Sequence, residues 1–400
     1  MKTGHLFLLV CASLFSSFGK AQEENPTIGD LTTKNIDFAM NLYRKIASHH
    51  DKNIFFSPLC MSSAFAMLSM ATKGPTYEQI LEGLNLNHLK REGQPDLIPE
   101  LFHTLSDNIS LNQDLVLAQG SAMFVHHKFE VENAFSGKTK KYFNADVINI
   151  DFSKTEESKF TINEYVKSRT NDKIKELIRH VDPLTRIMLI NTILFQGKWE
   201  HPFNASFTEE ARFYVDKYNI VQVPMMFKED KFHLAYDEKL KLGVLKLPYR
   251  GDAAMLVLLP DKDIDYTAID DEISAESFVG WLKKLKKIKL EVYLPKFKME
   301  QSYEMHKILP ELGIRNVFEN IADLSGISKE VGLKVSEVLH KSVIEVDEKG
   351  TEAASATATG ITGYSMPPSL MVNRPFLFLV YHEKTNSILF MGRVIDPTKL

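Results

Sequence analysis

The residues best suited to chemistry in this chain are two adjacent histidine pairs, His49-His50 and His126-His127, a scatter of carboxylates, and the cysteines Cys11 and Cys60. None of them has catalytic spacing. The sequence contains no HExxH, no Walker-type phosphate loop, no GxGxxG, no GxSxG and no CxxC, so the local signatures of a zinc protease, a nucleotide binder, a hydrolase nucleophile and a dithiol site are missing. Neighbouring side chains on a regular helix or strand point apart, so neither histidine pair has metal-ligand spacing and both are expected on a solvated surface. No metal, no bound cofactor and no catalytic residue is expected.

The composition is that of a globular chain: 400 residues, 44% hydrophobic, 25% charged, with a net charge of -4. Such a balance argues against wholesale nucleic-acid binding, although Lys283 to Lys289 and the Lys138, Lys140, Lys141 group could offer local basic patches to a polyanion. A solvated helix end leading into a strand is the blander reading of the first run. The N-terminus reads as a signal peptide, with Lys2, an apolar run from Leu6 to Phe15, and small residues at Gly19 and Ala21. The expectation is a secreted, extracellular protein, signal 1-21 and one domain over 22-400, with a buried N-terminal helix as the alternative. Cys11 leaves with the signal, so Cys60 stands alone and no disulfide framework is available. In that setting Asn108 (before Ile109-Ser110) and Asn204 (before Ala205-Ser206) are glycosylation sequons.

The elements that must position any site change character along the chain. Phe38, Leu42 and Ile46 lie four residues apart, as on one face of a helix. Ser57-Pro58 should open a second helix carrying Met61, Phe65 and Leu68, stopped by Gly74-Pro75, and Thr76 with Gln79 should cap a third. From about residue 185 the pattern is β. Ile187 to Phe195 is an apolar run suited to a strand covered on both faces, and Ile288 to Leu294 alternates like a half-covered one. Phe376 to Tyr381 and Ile388 to Val394 flank a hairpin turn at Lys384 to Ser387. Helices first and strands later imply an α+β domain.

One stretch fits neither pattern. After the strand-like Val343 to Val346 and the charged tip Asp347-Glu348-Lys349, Gly350 marks a reversal. The residues that follow are mostly Ala, Thr, Ser and Gly. In an extended chain Thr351, Ala353, Ser355, Thr357, Thr359, Ile361 and Gly363 share one face, free of charge and of proline, with Glu352 on the other. Such a face could enter a sheet without burying an unpaired charge. Read alone, the segment serves equally as an insertable strand and as a plain linker.

The chain resembles the serpin family over residues 30–400. The resemblance rests on Asn53-Ile54-Phe55-Phe56-Ser57-Pro58, on Asn191 to Phe195 running into Gly197-Lys198-Trp199, and on His340 ahead of Val343 to Val346. It continues through Glu348-Lys349-Gly350-Thr351-Glu352-Ala353-Ala354, Arg374-Pro375-Phe376 and Phe390 to Val394. It implies an α+β fold of three sheets and about nine helices with an exposed reactive-centre loop, here about residues 349–368. It also implies a hinge at Glu348, Gly350, Thr351, Ala353 and Ala354, and a sheet opening lined by Ser57, Asn191, Trp199 and His340. The implied activity is inhibition of serine proteases: the protease cleaves the loop, and the upstream segment inserts into the main sheet while still acylated to it. Fourteen extended residues would carry the tethered enzyme on the order of 45 Å. Counted as in the family, the cleaved bond joins Tyr364 and Ser365.

The flanks Ile361-Thr362 and Met366-Pro367-Pro368 resemble a plasma subgroup of that family. That likeness implies coagulation factor Xa as target, on phospholipid with calcium and with protein Z as cofactor, and factor XIa without it. Protein Z contacts would then fall on Asp51, Asp216, Lys217, Tyr218 and an acidic residue at Asp270 or Asp271, with Ser48 where a methionine is expected. A heparin contact would fall on Lys90 with Arg91, while Gly93 and His103 replace two expected lysines. The free chain would be a monomer. Direct inhibition of chymotrypsin-like proteases through Tyr364, and a non-inhibitory carrier, are the alternative readings.

Overall fold

The structure, a computed structural model, describes residues 25–110, 115–349 and 367–399. Its first helix, α1 (Ile28–His49), buries Phe38, Leu42 and Ile46 on one face, as their spacing predicts. It starts with a capping box, in which Thr27 and Asp30 satisfy each other's backbone N–H groups. After β1 (Ile54–Phe56), Ser57 caps α2 (Pro58–Ser69) by accepting from Cys60 N, and Pro58 sits in the first turn, where no N–H is required. The third helix, α3 (Gly74–Gly83), corrects the sequence reading. Gly74-Pro75 lies inside its first turn rather than behind α2, and Thr76 and Gln79 do not cap it. Thr76 Oγ1 instead accepts from Asp323 N at 3.1 Å, and Gln79 Oε1 accepts from Arg315 N and Asn316 N. Both side chains are spent on a distant segment, which local sequence does not reveal.

The remaining helices are α4 (Leu97–Ser110), α5 (Asn133–Phe143), α6 (Thr155–Arg169), α7 (Tyr266–Glu272), α8 (Ala275–Lys284) and α9 (Met305–Ile308), which makes nine α-helices among the described residues. A five-stranded sheet is built from β2 (Leu115–His126), β3 (Asp146–Ile150), β4 (Ile187–Gly197), β10 (Phe297–Glu304) and β11 (Val335–Val346), in the order β10-β11-β4-β2-β3. The other strands are β5 (Glu209–Tyr214), β6 (Ile220–Asp237), β7 (Leu242–Pro248), β8 (Ala253–Pro260), β9 (Lys286–Pro295), β12 (Ser369–Met371), β13 (Phe376–His382) and β14 (Ser387–Val394). They form two sheets that share a strand. The late part of β6 pairs with β7 in the run β1-β14-β13-β8-β7, while its early part pairs with β5 and its middle, Met225 to Leu234, pairs with β9, which carries β12. Hydrogen bonding is therefore continuous through nine strands, and the three-sheet α+β architecture stands.

The core follows the apolar patterning. Every residue of β8, β13 and β14 is buried, as are nearly all of β4. A smaller apolar cluster fills the other face of the five-stranded sheet, where Ile162 and Val166 of α6 meet Phe124, Met188 and Ile190. Cys60 is a free, buried thiol, and burial pushes its pKa up to about 11, away from reactive thiolate character.

One tight approach is at Gly392 in β14. A Cβ there would sit 2.4 Å from ring carbons of Phe378 and 2.8 Å from the Ile54 carbonyl oxygen. Gly392→Ala is therefore expected to cost about 1–3 kcal/mol, read as a lower urea midpoint; an unchanged midpoint would show that β1 and β13 can move apart.

Candidate functional site

At the centre of the five-stranded sheet β4 and β11 run parallel, with His340 opposite Asn191 and Ile344 opposite Phe195. Their outer neighbours are antiparallel: β2 flanks β4, and β10 flanks β11. A polar cluster lies across this seam, made of three residues singled out in the sequence. Ser57, Asn191 and His340 are all essentially buried. Ser57 N donates to His340 Nε2 at 2.9 Å, and Ser57 Oγ donates to the Leu389 carbonyl at 2.7 Å. Asn191 Oδ1 accepts from Ser121 Oγ of β2 at 2.9 Å, and Ser342 Oγ donates to the Phe55 carbonyl at 2.7 Å. The cluster thereby ties the start of α2 to β11, and β4 to β2.

The bond from Ser57 fixes the state of His340. Because Nε2 accepts an N–H, the ring proton must reside on Nδ1, and a second proton on Nε2 would oppose a donor. Burial acts in the same direction and pulls the ring down to about 4. His340 is thus a neutral structural histidine at physiological pH.

At the far end of the seam, β11 leads directly into the hinge. Trp199 Nε1 donates to the Asp347 carbonyl at 2.8 Å, and Trp199 N donates to the Lys349 carbonyl at 3.2 Å. The indole is stacked on Tyr249, centroids 4.2 Å apart. Glu348 is fastened on both of its carboxylate oxygens: Thr208 Oγ1 donates to one and Lys296 Nζ to the other, each at 2.8 Å, while Phe203 N takes its carbonyl. Burial alone would push the Glu348 carboxyl up; the hydrogen bonds from Lys296 and Thr208 outweigh it and hold the pKa below its ordinary value. Lys296 and Thr208 were missed in the sequence, because each is an ordinary residue until the fold brings it to Glu348. The expected hinge residues Gly350, Thr351, Ala353 and Ala354, and the reactive bond Tyr364-Ser365, lie outside the described residues.

The other expected contacts separate into distinct places. Ser48, Asp51 and Asp271 line one open cleft beside the end of α1. Asp271 is exposed, whereas Asp270 is buried against Arg393 and receives the Tyr43 hydroxyl at 2.5 Å. Of the two, Asp271 is the accessible acid. Asp216, Lys217 and Tyr218 form the turn between β5 and β6, and Tyr218 is 92% exposed. Asp216 Oδ1 accepts from Tyr218 N and Asn219 N, so the acid that shapes the turn also holds the tyrosine outward. Lys90 is paired with Glu78 at 2.6 Å and lies over the Tyr77 ring, and Arg91 donates to the His88 and Lys90 carbonyls. Asn108 is exposed on α4, and Asn204 half-buried ahead of a short 3-10 turn. The lysine run closes α8 and enters β9, where Lys289 pairs with Glu229.

One histidine expectation fails. His126 is buried rather than solvated, and its ring stacks on that of His127 with centroids 4.6 Å apart. Alternation does not separate the two, because β2 ends at His126 and the chain turns at His127.

A mixed α+β molecule with a parallel seam at the root of a hinge defines a narrow class of fold, and comparison with known proteins agrees. The family model described as serpin (serine protease inhibitor) matches residues 33–397. The chain belongs to the serpin family. It is 43% identical over 371 residues to the mouse protein Z-dependent protease inhibitor, covering 92% of this chain and 83% of that protein. The crystal structure of the mouse inhibitor is similar with a TM-score of 0.87, at 42% identity, over 92% of this chain and 98% of that one. Human thyroxine-binding globulin, solved with thyroxine, is similar at the same TM-score of 0.87 with 32% identity, over 93% of this chain and 100% of that one.

Removing the Glu348 carboxylate leaves Lys296 and Thr208 without their partner. Glu348→Ala should cost about 1–3 kcal/mol, and Glu348→Lys should cost more, by facing Lys296 with a like charge; equal urea midpoints for the two variants would contradict the ionic account. For His340, a folded pKa near 4 against an unfolded value of 6.5 means that the unfolded chain binds the proton first. Its contribution, about 3 kcal/mol, is intact above pH 6.5 and is lost as the pH falls toward 4. Melting curves across that window should be less pH-dependent in His340→Gln than in the parent chain, and parallel curves would refute the assignment.

Proposed function

We propose that this protein is a secreted inhibitor of serine proteases that works by inserting its own loop as a strand between β4 and β11. The observation that carries the reading is the hinge. A chain leaving β11 and reversing at Gly350 must run antiparallel to β11. One side of β11 is already held by antiparallel β10, and the other by parallel β4. Insertion there would replace one parallel pairing by two antiparallel ones, which are slightly more stable per residue. The charge-free face from Thr351 to Gly363 suits that place. Tyr364-Ser365 is the proposed reactive bond, and the trapped protease remains acylated on the Tyr364 carbonyl. The active state is then a kinetic trap rather than the most stable one.

The proposed target is coagulation factor Xa, with protein Z as cofactor on calcium and phospholipid, together with factor XIa. Support comes from the similarity to the mouse protein Z-dependent protease inhibitor and from the exposure of Asp51, Asp216, Lys217, Tyr218 and Asp271. Tyr364 suits the acidic pocket of factor Xa poorly, which gives a docking cofactor its purpose. Signal removal at 1-21, one domain over 22-400, glycans on Asn108 and Asn204, and a heparin contact at Lys90 and Arg91 complete the proposal. Heparin would have to compete with Glu78 for Lys90. A carrier role is the second reading, favoured by the equal structural similarity to thyroxine-binding globulin.

Incubation with factor Xa, protein Z, calcium and anionic phospholipid should yield an SDS-stable complex. Thr351→Arg should turn the inhibitor into a cleaved substrate, because insertion would bury the new charge. Complex formation with chymotrypsin alone would leave the inhibitor but change its target, and cleavage without any complex or gain in heat stability would favour the carrier.

A further inference from the structure

We propose that His126, His127 and Asp151 form a binding site for one zinc(II) ion at the shared end of β2 and β3. The two strands are parallel, with His126 opposite Ile150, so the next residue of each strand comes side by side. His127 N donates to the Ile150 carbonyl at 2.8 Å, which locks that juxtaposition in the backbone. One donor atom from each of the three side chains lies within 4.8 Å of the others. His127 Nδ1 is 3.4 Å from Asp151 Oδ1. For bonds of about 2.0–2.1 Å at tetrahedral angles, the edge between two donors is about 3.4 Å, so this pair is already at ligand spacing. The two imidazoles face each other at a centroid separation of 4.6 Å with 26° between their planes, close enough for small ring rotations to converge on one ion.

The surroundings favour a metal over a bare ion pair. His126 is buried. Its ring lies against Phe129 and Phe152, which form an apolar wall behind the donors. Ser153 donates to Asp151 Oδ1 from its N–H at 3.1 Å and its hydroxyl at 2.5 Å, and so fixes the carboxylate's orientation. His126 Nδ1 accepts from Lys128 N at a long 3.2 Å, a contact given up when the ring coordinates. Two imidazole nitrogens and one carboxylate oxygen suit zinc, with water in the fourth position. The Asp151 carbonyl also accepts from Lys154 N and Ser158 Oγ at the start of α6. A bound ion would therefore tie β2, β3 and the helix that lies over β2 into one unit.

Zinc should be titrated calorimetrically into the untagged, metal-stripped chain and into His127→Ala and Asp151→Asn, with cobalt(II) absorption reporting the geometry. The parent should bind one equivalent that each variant loses or binds at least about tenfold more weakly. Zinc should raise the parent's melting temperature and leave that of the variants unmoved, while the metal-free melting of all three stays together because His127 is exposed and asparagine keeps an Oδ1 acceptor for Ser153. Unchanged stoichiometry and affinity in both variants would overturn the proposal, as would a parent chain that shows neither heat nor a cobalt band, in which case the trio is a plain histidine–aspartate pair.

Discussion

The rest of the molecule is arranged around one parallel pairing, that of β4 with β11. Parallel ladders are slightly weaker per residue than antiparallel ones, and this one is set between antiparallel neighbours on both sides. A seam of that kind would part easily if only its own hydrogen bonds held it. The polar cluster of Ser57, Asn191 and His340 supplies the lateral ties, through hydrogen bonds that each reach a different element. Buried polar groups of this sort contribute modestly to net stability but penalise any rearrangement that leaves them unpaired. They make the seam two-valued: either closed with its partners in place or opened enough to re-form them elsewhere.

The two ends of the seam are secured by different physics. Near Asn191 the ties are neutral and buried. At the hinge they are ionic and partly exposed, with Glu348 shared between Lys296 and Thr208 and the indole of Trp199 covering the backbone. A charge-assisted contact with one partner part-exposed is screened by salt more than a buried neutral one. The hinge end is accordingly the more salt-sensitive of the two.

Much of this was legible in the sequence, and the limits are physical. Periodicity carried α1, β4, β9 and the β13–β14 hairpin, because burial on one face leaves a regular imprint. The small, uncharged run after Gly350 serves equally as strand and linker by composition, and it lies outside the described residues. Thr76 and Gln79 deceived, since a capping pair and a pair of distant hydrogen-bond acceptors use the same residue types. Asp270 and Asp271 could be told apart only when Arg393 and Tyr43 arrived to bury one of them. His126 departs from its expected solvated place, while His127 keeps it, because regular alternation does not extend across the strand end. The partners of Glu348 had no local signal at all: Thr208 and Lys296 are 140 and 52 residues away in the chain.

The segment after the loop has a consequence of its own. From Ser369 to Val394 the chain supplies β12, then β13 inserted between β8 and β14, then β14 against β1, with β13 and β14 wholly buried. A cut at Tyr364-Ser365 would sever the covalent connection to this segment but none of those ladders. The nicked protein would travel as a single particle in native buffer and fall into a large and a small polypeptide only in denaturant. Scission would therefore free one end to move while the other stays anchored, which is how a single broken bond could yield a displacement instead of a dissociation.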